Sequence, residues 1–261
     1  MRLRDLPAIL YLALAFGFVF LPVIVLVQYS FQDGLVPVPP FKGFSLRWYT
    51  AMFADRKLMA AMLDSTVVAI LSSAAATALG FLAAWGLARR RPRFASAIQL
   101  LLMAPVAVSY LIIAMGLLIV LNWLAVPRSL VAVGIGHVVI NLPLAFAIVY
   151  SQMGEHQANI ERAALDLGAS EAKAMVYVTI PMLWPALLAA FVISATLSWD
   201  EFVIAFLLSR FDVTLPVVIW NLLSAGLNPK LNAAGSFVFG VSILLLIGVE
   251  LLLRRWRRRN G

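Results

Sequence analysis

Six long apolar segments most constrain how this chain folds. Each has at least the roughly 20 residues that a helix needs to cross the hydrocarbon core of a bilayer, and they cover residues 6–27, 65–88, 97–123, 129–150, 184–208 and 233–253. Because lipid offers no hydrogen-bond partners, the backbone of such segments must satisfy itself as a helix. The sequence therefore predicts an all-α, polytopic membrane protein with six transmembrane helices.

Composition excludes the main alternatives. Apolar residues make up 63% of the chain and charged residues 12%, against roughly 45–50% and 25% in soluble proteins. The six spans use about 120 residues, and the remainder is too short for a separate soluble catalytic domain. The chain has no cysteine, which excludes disulfides, thiol catalysis and cysteine-based metal sites. We predict no catalytic residue and no metal site.

Positive charge indicates orientation. The formal net charge is +8, but the basic residues lie in short clusters between apolar segments, so we expect no nucleic-acid partner. One side has seven Lys and Arg, and the other has thirteen: Arg2, Arg4, Arg89, Arg90, Arg91, Arg93, Arg162, Lys173, Arg254, Arg255, Arg257, Arg258 and Arg259. The positive-inside rule places the thirteen and both termini in the cytoplasm of a bacterial inner membrane. We interpret the cluster at 89–93 as a topology anchor against anionic lipid rather than a docking site.

The amino-terminal part is predicted to form a separate region. Residues 6–27 have no small-residue cleavage site, so they are expected to stay as a span rather than act as a signal peptide. The outside loop, residues 28–62, reads as an amphipathic element, with Asp55 as a cap of the next helix. We therefore divide the chain into 1–62 and 63–261.

The loop of about 30 residues between the fourth and fifth segments is longer than a helix connection requires. Ile160, Ala163, Ala164 and Leu167 form one apolar stripe at helical spacing. Gly168 then suits a helix end and Ser170 a new helix start. This predicts a cytoplasmic helix-turn-helix. Its acidic residues favour a protein partner over an anionic lipid surface.

At this loop the sequence ERAALDLGAS, followed by VTIPMLWP, resembles the EAA loop in permease subunits of binding-protein-dependent ABC importers. The resemblance extends over nearly the whole chain. It implies the type I importer permease fold, with a five-helix core and an extra amino-terminal helix. One position departs from the family pattern, because Arg162 stands where the family usually has Glu and Glu161 comes one residue earlier.

In that family the loop, here 151–181, contains a coupling helix that binds a separate ATPase. The resemblance assigns this role to Glu161, Arg162, Ala163, Ala164, Asp166, Leu167, Gly168, Ala169 and Pro181. The chain has no GxxxxGK phosphate loop. We therefore expect a transport subunit rather than an enzyme, with no cofactor of its own and with ATP and Mg bound by an ABC ATPase dimer. The other implied partners are a second permease, giving a heterodimer, a periplasmic substrate-binding protein and membrane lipid.

Acidic residues in a membrane segment normally face a cavity or a partner. Asp200 and Glu201 follow Trp199 in the fifth segment, where carboxylates beside an indole suit a cationic amine. The alternative is that Asp200 or Ser198 caps a broken helix, or that an acid pairs with another subunit. His137 and Asn141 are weaker candidates, better explained by an interhelical hydrogen bond.

The sequences SWDEFVIAFLLS and TLPVVIWNLLSAGLNPKLNAAGS are similar to the second permease of the spermidine/putrescine importer group. This resemblance implies a small organic cation as substrate, or a relative such as an opine or amino-acid conjugate. Trp220 is then expected in an outer gate, so the predicted pathway residues are Trp199, Asp200, Glu201 and Trp220.

Two other classes remain as alternatives. An intramembrane serine protease would use His137 with Ser236, but the chain has no Gly-x-Ser-x-Gly turn. An ion channel or secondary transporter would act without an ATPase. The partner-like loop at 155–181 argues against that class.

Overall fold

The structure, a computed structural model, describes residues 6–90, 92–226 and 229–260. No β-strand occurs among these residues. Twelve α-helices follow one another: α1 Leu6–Ser30, α2 Arg47–Ala54, α3 Arg56–Arg90, α4 Ala95–Met103, α5 Tyr110–Trp123, α6 Leu130–Tyr150, α7 Glu155–Asp166, α8 Glu171–Ala174, α9 Ile180–Trp199, α10 Val203–Leu208, α11 Leu215–Ser224 and α12 Pro229–Asn260. A 3₁₀ turn, Ala104–Ala107, follows α4, and a π-helical turn, Met175–Thr179, joins α8 to α9.

Four helices in this part of the chain are long and apolar enough to cross a membrane: Ile9–Ser30, Arg56–Arg90, Leu130–Tyr150 and Glu171–Trp199. The helix pair Ala95–Ala107 and Tyr110–Trp123 is a fifth candidate if it counts as one span. The sixth predicted segment, 233–253, lies within α12. All six predicted apolar segments are thus helical over most of their length, and the predicted all-α class is confirmed.

Two of the segments are broken. The first break is not predicted by the sequence, and the second is predicted only as an alternative, with Asp200 or Ser198 as the cap of a broken helix. Segment 97–123 bends by 107° between its two helices. Pro105 lies in the 3₁₀ turn at this bend, and a proline removes a backbone donor from a helix. Segment 184–208 is interrupted at residues 200–202, between α9 and α10. Apolar character continues through the bend at Pro105, so hydropathy alone does not reveal it, whereas the second break contains the acidic residues Asp200 and Glu201.

The chain divides into two compact units. The first comprises residues 1–59 and 218–261, and the second comprises residues 60–217. In the first unit α2 and α12 pack together, with the rings of Phe53 and Phe237 edge to face at 5.3 Å between centroids. Asp55 accepts a hydrogen bond from Lys230 at 2.5 Å and also accepts from the backbone N–H groups of Lys57 and Leu58. The predicted cap of the second span is therefore confirmed.

In the second unit α3 packs closely on α6. A Cβ built on Gly80 would lie 2.8 Å from the backbone nitrogen of Phe146, so only glycine allows this approach. Two apolar clusters surround the contact. One joins α3, α5, α6 and α10 and includes Val133 and Ile204, and the other joins α3, α6 and α9 and includes Phe146 and Leu183. These clusters fix the helices that carry both candidate sites.

Several of the basic residues that indicate the orientation of the chain in the membrane lie outside the described part of the structure. Arg2, Arg4 and Arg91 lie outside the described residues, as do the side chains of the five arginines between 254 and 259. The cytoplasmic position of both termini stays a prediction.

Candidate functional site

The predicted helix-turn-helix is present. Helix α7 ends at Asp166, and Gly168 adopts a left-handed conformation with φ of +90°. Its N–H donates to the Leu165 carbonyl at 2.9 Å, while the N–H of Ala169 donates to the Ala164 carbonyl at 3.1 Å. This pair of bonds is a Schellman motif, in which glycine is the preferred residue. Ser170 then caps α8 by accepting from the N–H of Lys173 at 3.4 Å.

Helix α7 exposes its apolar side and buries an acid. Leu167 is 89% exposed and Ile160 38% exposed, Ala163 is also exposed, and Ala164 is half-buried. Glu161, in contrast, is 6% exposed. A short helix normally buries its apolar stripe. The reversed arrangement leaves an apolar surface at the turn that no residue in the described part of the chain covers.

The buried acid is paired. Arg89, near the end of α3, donates from Nε to Glu161 Oε2 at 2.6 Å and from Nη2 to Oε1 at 2.9 Å. The two side chains are 15% and 8% exposed. Two parallel charge-assisted bonds fix both the distance and the orientation of α7 relative to α3.

The neighbouring arginine makes a weaker contact. Arg90 Nη2 donates to Glu171 Oε2 at 2.9 Å, but both side chains are about two-thirds exposed. Arg89 and Arg90 therefore bind acids of the helix-turn-helix, which the sequence analysis did not predict, and the interpretation of their cluster as a topology anchor stays a prediction. The sequence offered no signal that separates Arg89 from the other arginines of its run.

The remaining loop residues lie on the outer side of this arrangement. Arg162 is exposed and donates to Asn159 Oδ1 at 2.7 Å, so Glu161 rather than Arg162 holds the helix. Asp166 is exposed as well, whereas Ala169 is half-buried. Pro181 lies in the first turn of α9 and is exposed. A cleft of about 1060 Å³ lies beside the pair, lined among others by Trp85, Arg89, Tyr150, Glu161 and Glu171.

The two acids at the α9–α10 break have different surroundings. Glu201 is 6% exposed, and its carboxylate accepts hydrogen bonds from the backbone N–H groups of Val203, Ile204 and Ala205 at 2.8 to 3.2 Å. It therefore caps α10. The sequence analysis considered Asp200 or Ser198 for such a cap and did not consider Glu201. Asp200 ends α9 and is exposed.

A buried polar chain lies next to this break. Ser198 Oγ is 2.6 Å from His137 Nδ1 and 3.0 Å from Ser72 Oγ. His137 Nε2 lies 3.4 Å from Glu201 Oε2. The expected interhelical hydrogen bond of His137 is thus present. The serine, histidine and glutamate are all more than nine-tenths buried, so no substrate reaches the Ser198 hydroxyl in this structure, and the contacts described for His137 do not include Ser236.

The predicted pathway residues do not all belong to one compact unit. Trp199 is half-buried beside Asp200 at the end of α9. Trp220 lies in α11, is 48% exposed and belongs to the other compact unit. Asn141 is buried one turn after His137 on α6. Within the described ranges no group of three or more His, Cys, Asp or Glu side chains is placed to hold a metal ion.

Comparison with known proteins gives consistent matches. Residues 76–258 match the family model described as "Binding-protein-dependent transport system inner membrane component". The "Putrescine transport system permease protein PotI" of Escherichia coli (strain K12) is 31% identical over 261 residues, covering 96% of this chain and 92% of that protein. The "Spermidine/putrescine transport system permease protein PotC" of Shigella flexneri is 27% identical over 247 residues, covering 94% and 93%.

A solved structure resembles the fold. It is a bacterial alginate ABC transporter in complex with an alginate pentasaccharide-bound periplasmic protein. One of its chains aligns with a TM-score of 0.71 at 18% identity, over 97% of this chain and 95% of that chain. At this identity the likeness concerns the fold alone.

Proposed function

Because this chain belongs to the family of binding-protein-dependent transport system inner membrane components, and is thus a multi-pass permease of an ABC importer, we propose that separate ATPase subunits drive it through α7 and the turn at 167–169. The observation that carries the proposal is the exposed apolar stripe of a helix held from behind by a buried ion pair. A docking helix needs an open contact surface and a rigid support, and α7 has both. Glu161 acts in the support, while Ala163, Ala164, Leu167 and Gly168 form the contact surface.

The type I permease fold predicted from the sequence agrees with the solved importer that the chain resembles. The relatives are transport permeases rather than enzymes. We further propose that ATP and Mg bind only to the partner ATPase dimer, since the sequence has no phosphate loop. Residues 63–261 then form the transport core, and residues 1–62 supply an extra helix and an outside segment.

The other partners follow from the type of importer. A second permease subunit completes the pathway, and it is a different chain, so that the two form a heterodimer, as the resemblance to the polyamine importer permeases implies. A periplasmic binding protein delivers the solute, and in support the alginate transporter is found in complex with a pentasaccharide-bound periplasmic protein. We place both termini on the cytoplasmic side of the inner membrane, because the side of a membrane protein with more Lys and Arg normally faces the cytoplasm.

We propose a small organic cation, putrescine or spermidine, as the substrate. The support is the naming of the two relatives together with an exposed carboxylate, Asp200, next to Trp199. An ion pair and a cation–π contact are the interactions that bind an alkylammonium group. The carboxylate of Glu201 is already occupied by backbone N–H groups, so Asp200 is the better candidate. An opine or amino-acid conjugate is the alternative substrate class.

The coupling proposal is tested with Gly168→Val. A built Cβ at this glycine meets no atom within 4 Å, so the cost comes from the left-handed backbone, about 1–2 kcal/mol for other residues. The turn should shift, and ATP-dependent putrescine uptake by the complete importer in proteoliposomes should fall about tenfold. The amount of inserted permease, measured by immunoblot, should not change.

Gly154→Ala is the matched control. Gly154 precedes α7 with a φ of −78°, which any residue adopts, and its built Cβ approaches only the flexible end of Gln157. Uptake should stay near wild type in this variant. Undiminished uptake with Gly168→Val would contradict the coupling role of the turn.

A further inference from the structure

We infer that Arg89 is a positioning residue that makes α3 move together with α7, so that α3 carries the movement of the coupling helix to the α9–α10 break. This inference rests on the proposed ATPase-driven function. Its first support is the pair itself: two hydrogen bonds of 2.6 and 2.9 Å between two side chains that are at most 15% exposed. Separating the two side chains would leave a buried charge uncompensated, which costs free energy. We therefore expect α3 and α7 to stay together when either of them moves.

The second support is the stiffness of α3. This helix runs for 35 residues without a proline. The covalent route from the loop into the membrane, through α8 and α9, is softer, because it contains the π-helical turn Met175–Thr179 and the prolines Pro181 and Pro185. Helical irregularities and prolines are the places where helices bend. A displacement of α7 is therefore transmitted with less loss along α3 than along α9.

The third support is the middle of α3. Ser72 Oγ lies 3.0 Å from Ser198 Oγ on the last turn of α9, and Ser198 in turn contacts His137 at 2.6 Å. Ser72 is 17 residues before Arg89, about 26 Å along a helix. One continuous helix thus contacts the coupling helix near its end and the residues beside Asp200 at its middle. Coupling between distant sites requires such a chain of packed and hydrogen-bonded contacts.

The test measures a distance that depends on neither substrate nor uptake. The chain has no cysteine, so spin labels can be placed at His156→Cys on α7 and Leu82→Cys on α3, both exposed positions. Pulsed electron–electron double resonance then measures the distance between the two labels in nanodiscs. The samples are the chain alone, the complete importer without nucleotide, and the complete importer trapped with ATP and vanadate. With Arg89 present we expect one narrow distance distribution in all states.

Arg89→Gln should broaden this distribution at least twofold, most strongly in the trapped state. Glu161→Gln removes the same pair from the other side and should give the same result, so the test does not depend on the folding of one variant. The exchange Arg89→Glu with Glu161→Arg should restore a narrow distribution. Arg90→Gln, which removes an exposed pair, is the matched control and should leave the distribution unchanged.

A second readout separates positioning from simple stabilisation. In the complete importer, Arg89→Gln should hydrolyse at least threefold more ATP per putrescine imported, a ratio that a loss of folded protein does not change. Distributions as narrow as wild type in both Arg89→Gln and Glu161→Gln would overturn the inference. A wild-type importer that takes up no putrescine would contradict the proposed substrate, but it would leave the distance result as a valid test of Arg89.

Discussion

Asp200 and Glu201 are neighbours in the chain with different surroundings. Glu201 is buried and holds the first turn of α10 through three backbone N–H groups, whereas Asp200 is exposed at the end of α9. The sequence could identify the pair but could not separate its members, because neither a proline nor a glycine marks the break at 200–202. The division of roles follows from where the helix stops.

We predict opposite phenotypes for the two conservative variants. Asp200→Asn should raise the KM for putrescine about tenfold, or about 1.4 kcal/mol, with little change in the stability of the complex. Glu201→Gln should lower stability by about 1–2 kcal/mol, the value of a helix cap, with a smaller change in KM. Uptake kinetics and thermal unfolding in detergent measure both quantities. A KM that rises more for Glu201→Gln than for Asp200→Asn would refute this division.

The sequence predicted local structure best in the loop at 155–181. The spacing of Ile160, Ala163, Ala164 and Leu167 predicted a stripe that the structure shows on one helix, and Gly168 marked its end. The partner of Glu161 was not predictable, since Arg89 is 72 residues away and looks like a topology signal in the sequence. Local patterns predict local structure, but a tertiary ion pair leaves no trace in them.

At the scale of elements, the sequence predicted which segments are helical but not where they change direction. A hydropathy pattern records apolar character and not the path of the backbone, so the bend between α4 and α5 was missed. The break after α9 was considered only as an alternative, and its cap was assigned to Asp200 or Ser198 rather than to Glu201. In the outside loop, α2 was expected to be an interfacial element. In the structure its Met52 is fully buried and its end is tied to α12.

This tie between the end of α2 and α12 gives a pH-dependent prediction. Lys230, which donates a hydrogen bond to Asp55, is the main cause that lowers the pKa of Asp55 below its ordinary value of 3.8. A lowered pKa in the folded state contributes stability at higher pH, and this stability is lost as the pH falls through the folded value. The contribution of the pair, on the order of 1 kcal/mol for a partly exposed ion pair, should therefore be present at pH 7 and be lost as the pH falls below the ordinary value and through the lowered folded one.

Thermal unfolding of Asp55→Asn and wild type between pH 7 and pH 3 checks this expectation. The variant should melt at a lower temperature at pH 7, and the difference should shrink below pH 4. Asp33→Asn, which removes an exposed pair with Arg47 at 3.4 Å, is the control and should change the melting temperature less. A difference that stays constant over the whole pH range would show that the ion pair does not stabilise this junction.

At the scale of the whole molecule, the all-helical fold follows from the lipid that surrounds the chain. A chain with 63% apolar residues and six long apolar segments must satisfy its backbone inside lipid, which leaves a helical bundle as the solution. The loop at 155–181 then distinguishes a driven permease from a channel, because a self-sufficient transporter has no need for a supported, exposed apolar helix. Substrate identity depends on few residues and is the least determined by the fold.

The most direct test of the account is the ATPase activity of this chain, co-purified in lipid with its ATPase, second permease and binding protein. The complex is titrated with putrescine, spermidine and maltose, a neutral sugar. The account predicts ATP hydrolysis that a polyamine stimulates and maltose does not. An intact complex whose hydrolysis responds to neither polyamine would contradict the cationic substrate, and a chain that forms no complex with an ATPase would contradict the coupling mechanism itself.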